Sequence, residues 1–265
     1  MPTQLMELLQ EHHGERSSDK TWEEIIAERD LQRINDYNNL VGNLGYVDCP
    51  ICKNKGMIAS LSDDGYEQYT KCECLKQRKA FRNIELSGLS DTLAENTFDK
   101  FVATEQWQQQ AKRKAQAFAD NPIGWLYIGG QSGSGKTHLC TAICGELLKQ
   151  NRAVKYVLWR DAIRNLQSCI FDNEKYFSEI EKLKSADVLY IDDFLKSADP
   201  KKELDIAFEI INQRYISDKT TIISSEMHID KLRNFDEAIA GRIKQKAKSN
   251  TILINFEPTR NYRAK

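Results

Sequence analysis

The chain has 265 residues, enough for one domain of ordinary size and a smaller attachment. With 29% charged and 40% apolar residues it reads as a folded protein and not a disordered one. Lys and Arg number 38 against 39 Asp and Glu, so net charge offers no argument for nucleic acid and leaves only a local basic surface to consider. No apolar run approaches the ~20 residues that span a bilayer. The opening MPTQLMELLQEHHGER lacks the basic start and apolar stretch of a secretory signal, and the expectation is a cytoplasmic chain with no membrane partner.

Residues 1–45 carry helical patterns, first Leu5, Leu8 and Leu9, then Trp22, Ile25, Ile26, Leu31 and Ile34. They are too few in apolar side chains to bury much alone, which predicts a helical arm that docks on something.

Residues 46–76 hold Cys49, Cys52, Cys72 and Cys74, spaced C-x2-C-x19-C-x-C, with Gly56 and Gly65 marking turns. Two close pairs separated by a turn-rich loop suit a tetrahedral zinc site of four thiolates. The segment is poor in large apolar residues, so a metal is a natural source of its folding energy. A redox role for the C-x-x-C pair stays open, although no strand–helix pattern of a redox fold surrounds it. The total of seven cysteines is odd, which argues against a disulfide framework. Cys140 and Cys144 read as small packed hydrophobes. Residues 77–90 read as a linker.

Residues 91–265 alternate two kinds of pattern. Strands are predicted at 124–130 (GWLYIGG), 154–159 (VKYVLW), 187–194 (DVLYIDDF), 220–225 (TTIISS) and 251–256 (TILINF). Helical spacing is predicted at 136–150, in two short stretches near 160–170 and 174–185, and at 202–217. Apolar strands alternating with amphipathic helices predict an α/β fold, a five-stranded parallel sheet covered on both faces.

The segment Gly130-Gln131-Ser132-Gly133-Ser134-Gly135-Lys136-Thr137 matches the phosphate-loop pattern, after a predicted strand and at the start of a predicted helix. Gly130, Gly133 and Gly135 let the backbone curl until its N–H groups face phosphate oxygens. The helix start adds its positive end. Lys136 is expected to reach the β- and γ-phosphates of ATP, and the Thr137 hydroxyl to ligate magnesium. His138 closes the expected nucleotide-binding run. Asp192 and Asp193 follow Val188–Ile191 at the carboxyl end of a strand, the edge where open parallel sheets bind ligands. Asp192 is the expected magnesium partner, and Asp193 is placed to orient or deprotonate the attacking water.

With these motifs in hand the chain resembles the DnaC/DnaI-type helicase loaders, AAA+ ATPases related to the IstB transposition ATPases and to the initiator DnaA. GGQSGSGKTHL, VLYIDDF, TTIISSE, DEAIAGRI and the terminal NYR carry the likeness over residues 91–265, and CPICKNKG with KCEC extends it to about residue 46. The resemblance implies an AAA+ core without a helical lid, since about nine residues follow the last predicted strand. It places Arg242 as an arginine finger reaching a neighbouring subunit's γ-phosphate, which makes ATP a glue for self-association. It sets Arg263 near the nucleotide. Glu226 departs from the pattern, because relatives carry a γ-phosphate-sensing Asn there. A carboxylate repels phosphate unless it meets a cation or water, so Ser225 is the alternative sensor. The two short helices match an element that lines a single-stranded DNA path in initiator-type proteins. Lys175, Tyr176 and Phe177 offer charge and stacking surface for it, and the reading in which the two aromatics pack on the core stays open. The function implied is an ATP-dependent loader of the hexameric replicative DNA helicase that also binds single-stranded DNA. The alternatives are a transposition ATPase of the IstB kind, acting with duplex DNA and a transposase, and a metabolic P-loop kinase.

Overall fold

The computed structural model describes residues 20–197 and 199–262. Leu5, Leu8, Leu9 and Arg263 lie outside the described residues. The chain divides into two compact units, one ending at Arg78 and the other beginning at Lys79.

In the first unit, helix α1 (Trp22–Asn39) opens on a capping box, with Thr21 and Glu24 exchanging side-chain and backbone bonds. An antiparallel hairpin follows, β1 (Met57–Leu61) and β2 (Glu67–Lys71). Helix and hairpin are joined by polar contacts. The Asn38 amide accepts from the Ala59 N–H at 3.0 Å and donates to the Ala59 carbonyl at 2.9 Å, as a neighbouring strand would. Tyr37 meets Tyr69 edge-on, 4.9 Å between ring centres, and Arg33 pairs with Glu67 at 3.2 Å. Helix α2 (Cys74–Ser87) gives Cys74 and Arg78 to this unit and its later residues to the next. It runs through the stretch expected to be a linker.

The second unit continues with α3 (Ser90–Leu93), α4 (Gln106–Asp120), β3 (Trp125–Gly130), α5 (Lys136–Lys149), β4 (Val154–Leu158), α6 (Trp159–Ser168) and α7 (Asn173–Ser185). Then come β5 (Val188–Asp192), α8 (Leu204–Ile216), β6 (Thr220–Ser225), α9 (Ile229–Arg233), α10 (Glu237–Ala247) and β7 (Thr251–Ile254). The five strands form one parallel sheet in the order β4-β5-β6-β3-β7, so β6 lies between the phosphate-loop strand and the strand of the two acids. Leu126, Ile128, Tyr190 and Ile222 face one apolar layer with α4 and α5. Trp125, Tyr127, Leu189 and Ile223 face the other with α6, α7, α8 and α10. Burial on both faces is why β3 and β5 read as nearly continuous apolar runs, while β6, equally buried, is TTIISS with hydroxyl side chains at both ends.

All five predicted strands are present, four of them shorter than the apolar runs suggested. Trp159 begins α6 and does not end β4, and its indole donates to the buried Glu203 carboxylate at 2.6 Å. β5 stops at Asp192 because Asp193 turns into the left-handed region at φ 54°. Asn255 and Phe256 lie beyond β7. No helix of the described residues is long and apolar enough to cross a membrane.

Candidate functional site

The turn from β3 into α5 curls through three positive φ values, 151° at Gly130, 74° at Gly133 and 86° at Gly135. A Cβ on Gly130 would lie 2.3 Å from the Ile254 carbonyl oxygen, and one on Gly135 would lie 2.8 Å from the Phe101 ring. Neither position accepts a side chain, so the glycines answer to close packing as well as to φ. The loop borders a cavity of about 470 Å³ lined by Ser132–His138, Asp193 and Lys196. Its rim comes from Asn96, Phe101, Gln108 and Tyr262, among others.

Lys136 is buried, and its ammonium donates to the Gln131 carbonyl at 2.8 Å. Burial pulls it below the usual lysine range; Glu226 and Asp193 oppose that and Lys196 adds to it. The Thr137 hydroxyl lies 3.2 and 3.3 Å from the two carboxylate oxygens of Asp192. Asp192 also accepts from the Ser224 hydroxyl on β6, and that hydroxyl in turn accepts the Asp193 N–H at 3.0 Å. Ser224 therefore ties the two acids together across adjacent strands. His138 also lines the cavity, with its Nε2 2.7 Å from the Thr97 carbonyl and its ring edge-on to Phe101.

The Asp193 carboxylate accepts from Lys196 Nζ at 3.0 Å, and the same ammonium holds Glu226 at 2.8 Å. Burial raises Glu226 but Lys196 outweighs it and holds the carboxyl below its ordinary range. Burial lowers Lys196 but Glu226 and Asp193 outweigh it and hold the ammonium above its own. Glu226 thus meets the cation that a carboxylate beside a phosphate site requires. The Ser225 hydroxyl is buried against the Phe194 carbonyl at 3.0 Å and accepts the Met227 N–H at 3.2 Å, so it does not line the cavity.

The segment after β7 crosses the loop. The Gln131 side chain donates to the Glu257 carbonyl at 2.9 Å and accepts its N–H at 2.6 Å. The Tyr262 N–H donates to the Gly133 carbonyl at 3.0 Å, and the Tyr262 hydroxyl bonds to Gln108 and Glu105 on the α4 side, both at 2.9 Å.

Arg242 is not among the residues lining this cavity. From α10 its Nε donates to Asn212 at 3.0 Å and its guanidinium lies over Phe208 and Tyr215, 4.9 and 5.7 Å from the ring centres. Of the residues expected to meet DNA, Phe177 is exposed and Lys175 is on the surface. Tyr176 is partly buried, with its hydroxyl on Glu209 at 3.1 Å. Phe171, between α6 and α7, is fully exposed.

In the first unit the ligand atoms of Cys49, Cys52, Cys72 and Cys74 all lie within 4.8 Å of one another, and all four residues are buried. Cys49 and Cys72 sulfurs are 3.8 Å apart, those of Cys52 and Cys74 3.5 Å. Zinc bonds of about 2.3 Å at tetrahedral angles place sulfurs about 3.8 Å apart, so the cluster fits such an ion. Its surroundings suit thiolates. The Gly56 N–H donates to Cys52 at 3.3 Å and the buried Arg78 donates to Cys74 at 3.5 Å. Burial raises the Cys52 thiol, but the Gly56 N–H and the neighbouring thiols bring it down to about 6. Arg78 also holds the Leu44 and Gly45 carbonyls and the Asn54 side chain, fixing the loop that leads to Cys49. Unreadable from the sequence were Ser224, Lys196, Arg78 and the cavity rim, because no motif marks them.

Parallel sheet, curled glycine loop, Lys136, Thr137 and the strand-end acids together define a P-loop ATPase domain of the AAA+ type. The family model for the bacterial DnaA ATPase domain matches residues 93–248, and the chain belongs to that family. Phage-like element PBSX protein XkdC of Bacillus subtilis is 29% identical, over 78% of this chain and 82% of XkdC. Replicative helicase loader DnaC of Buchnera aphidicola from Schizaphis graminum is 24% identical, over 69% of this chain and 75% of DnaC. The crystal structure of DnaI superposes with a TM-score of 0.50 at 25% identity, covering 62% of this chain and 89% of that one. The chain is thus related to both the replication initiators and the DnaC/DnaI loaders.

Proposed function

We propose that this protein is an ATP-dependent loader of a hexameric replicative helicase, acting in the cytoplasm at the start of DNA replication. The observation that carries the reading is a DnaA-type nucleotide cavity in a chain that also bears a four-cysteine module and matches a helicase loader over most of that loader's length.

The loop amides and Lys136 bind the phosphates. The magnesium that accompanies ATP, which Thr137 and Asp192 fit, supplies charge neutralisation. In hydrolysis the water oxygen bonds to the γ-phosphorus as the bond to the β–γ bridging oxygen breaks. Asp193 takes the water proton, and ADP leaves with the electron pair. Arg242 serves a neighbouring copy's site, which its absence from its own cavity supports. Cys49, Cys52, Cys72 and Cys74 hold one zinc, which folds the module that grips the helicase. Phe177, Lys175 and Phe171 offer stacking and charge to single-stranded DNA, while Tyr176 packs inward.

Copurification tests the reading. Tagged full-length protein is mixed with its cognate hexameric helicase, a transposase from the same source, ATP and single-stranded DNA. Recovery of the helicase in a nucleotide-dependent complex supports the loader. Recovery of the transposase alone, or of neither, refutes it.

A further inference from the structure

Glu226 follows the last residue of β6, the strand between the phosphate loop and the two acids. A bare carboxylate at that place would repel a terminal phosphate. It is not bare: Lys196 reaches it at 2.8 Å while also holding Asp193 at 3.0 Å. The lysine arrives there on a backbone that departs twice from ordinary geometry. Asp193 and Leu195 both have positive φ, 54° and 55°, and the turn closes by the Lys196 N–H donating to the Asp193 carbonyl at 3.0 Å. Non-glycine residues in that region cost energy and persist where the surroundings fix them. Here the buried Phe194 and Leu195 side chains do so. Lys196 and Glu226 are each more than one-third exposed, and an exposed ion pair contributes little to stability. Burial of Phe194 and Leu195 fixes the bend, which brings Lys196 to the cavity, and the ion pair itself adds little to fold stability.

We propose that Lys196, anchored by Glu226, is a catalytic residue that contacts the terminal phosphate of the bound nucleoside triphosphate and distinguishes it from the diphosphate. The inference rests on the reading of the loop as an ATP site. An ammonium has three donors, and the two carboxylates occupy two of them. Lys196 lines the same cavity as Ser132–Thr137 and Asp193, so the third is available to a phosphate oxygen beside the loop. Glu226 and Lys196 then act as a charged pair: the carboxylate positions the ammonium, and the ammonium reads the phosphate. A diphosphate offers no oxygen at this position.

The test is titration calorimetry on the full-length chain with magnesium, using ADP and a non-hydrolysable ATP analogue. The unaltered protein is expected to prefer the triphosphate. Lys196→Ala should weaken triphosphate binding about tenfold, the worth of a charge-assisted hydrogen bond, and leave ADP affinity within about twofold. Lys196→Arg should keep most of the preference. Glu226→Gln, which loosens the anchor and keeps the ammonium, should move in the direction of Lys196→Ala by a smaller factor. Lys196→Ala with an unchanged triphosphate-to-diphosphate ratio overturns the assignment, as does tighter triphosphate binding in Glu226→Gln. Failure of the unaltered chain to bind either nucleotide overturns the ATP-site reading itself. Loss of binding in Lys136→Ala beside an unchanged ratio in Lys196→Ala overturns the lysine alone.

Discussion

Thr137, at the start of α5, and Asp192, at the end of β5, touch across the sheet edge: the threonine hydroxyl lies 3.2 and 3.3 Å from the two oxygens of the buried carboxylate. Residues 55 positions apart form one polar corner behind the cavity that Thr137 lines, and β6 supplies the Ser224 hydroxyl that completes it.

The first expected outcome concerns Lys136. Lys136→Ala removes the one cation on the loop itself and should abolish nucleotide binding with the circular-dichroism spectrum unchanged. Undiminished ATP affinity by calorimetry in the folded variant would count against the site.

Ser224 should matter although it is not expected to touch nucleotide or magnesium itself. It donates to Asp192 and accepts from the Asp193 N–H. Ser224→Ala leaves a buried carboxylate short of a donor, a loss of about 1–3 kcal/mol, and lets both acids shift. Its hydrolysis rate should fall roughly tenfold or more, with ADP affinity little changed. A wild-type rate would show that β6 does not position the acids.

For the cysteine cluster, one zinc per chain is expected by metal analysis after purification without chelator. Cys52→Ser should unfold the module and leave the melting transition of the ATPase core in place, because binding and local folding are one event in such modules. Protein without zinc would contradict this.

Arg214 is fully buried and its bonds go to carbonyls and a hydroxyl. It donates to the carbonyls of Leu183, Lys184, Ala186 and Thr220 and to the Thr221 hydroxyl. These bonds close the end of α7 onto β6. Burial lowers the guanidinium to about 10. It stays charged at neutral pH; because burial disfavours the charged form, the linked cost to stability sets in as pH falls from the ordinary arginine range to about 10 and is constant below that. Arg214→Met should cost about 3 kcal/mol by leaving buried carbonyls unpaired. Urea unfolding at neutral pH with an unchanged midpoint would show the network to be dispensable.

Arg242→Ala should bind ATP normally, since the cavity residues remain, and lose hydrolysis by roughly 10³-fold or more, as trans arginines do. Lys136→Ala chains lack nucleotide and still present Arg242, so mixing the two variants should recover part of the activity in the presence of helicase and single-stranded DNA. A wild-type rate in Arg242→Ala alone would remove the finger.

The sequence exposed what chemistry or continuous burial dictates. Phosphate binding fixes the residue types from Gly130 to Thr137, and two-sided burial makes β3 and β5 nearly continuous apolar runs. Other features left no local signal. The hairpin between the cysteine pairs was missed because β2 reads EQYTK, mostly exposed and without an apolar face. The cavity rim went unseen because Phe101, Gln108 and Tyr262 are distant in sequence and follow no motif; α4, with five glutamines over Gln106–Asp120 and a buried Gln108, hides a core-facing side. Lys196 could not be read because its reach depends on two left-handed residues, neither a glycine. The strand ends failed for a related reason: Phe194 is apolar and buried, yet sits in a turn and not in β5.

The most direct measurement of the central claim is helicase loading onto closed-circular single-stranded DNA, which a preformed ring cannot thread unaided. With this protein and ATP, the cognate hexameric helicase should become stably encircled on the circle and unwind an annealed strand; with Lys136→Ala it should not. Equal loading with the variant, or with no loader added, would contradict the account.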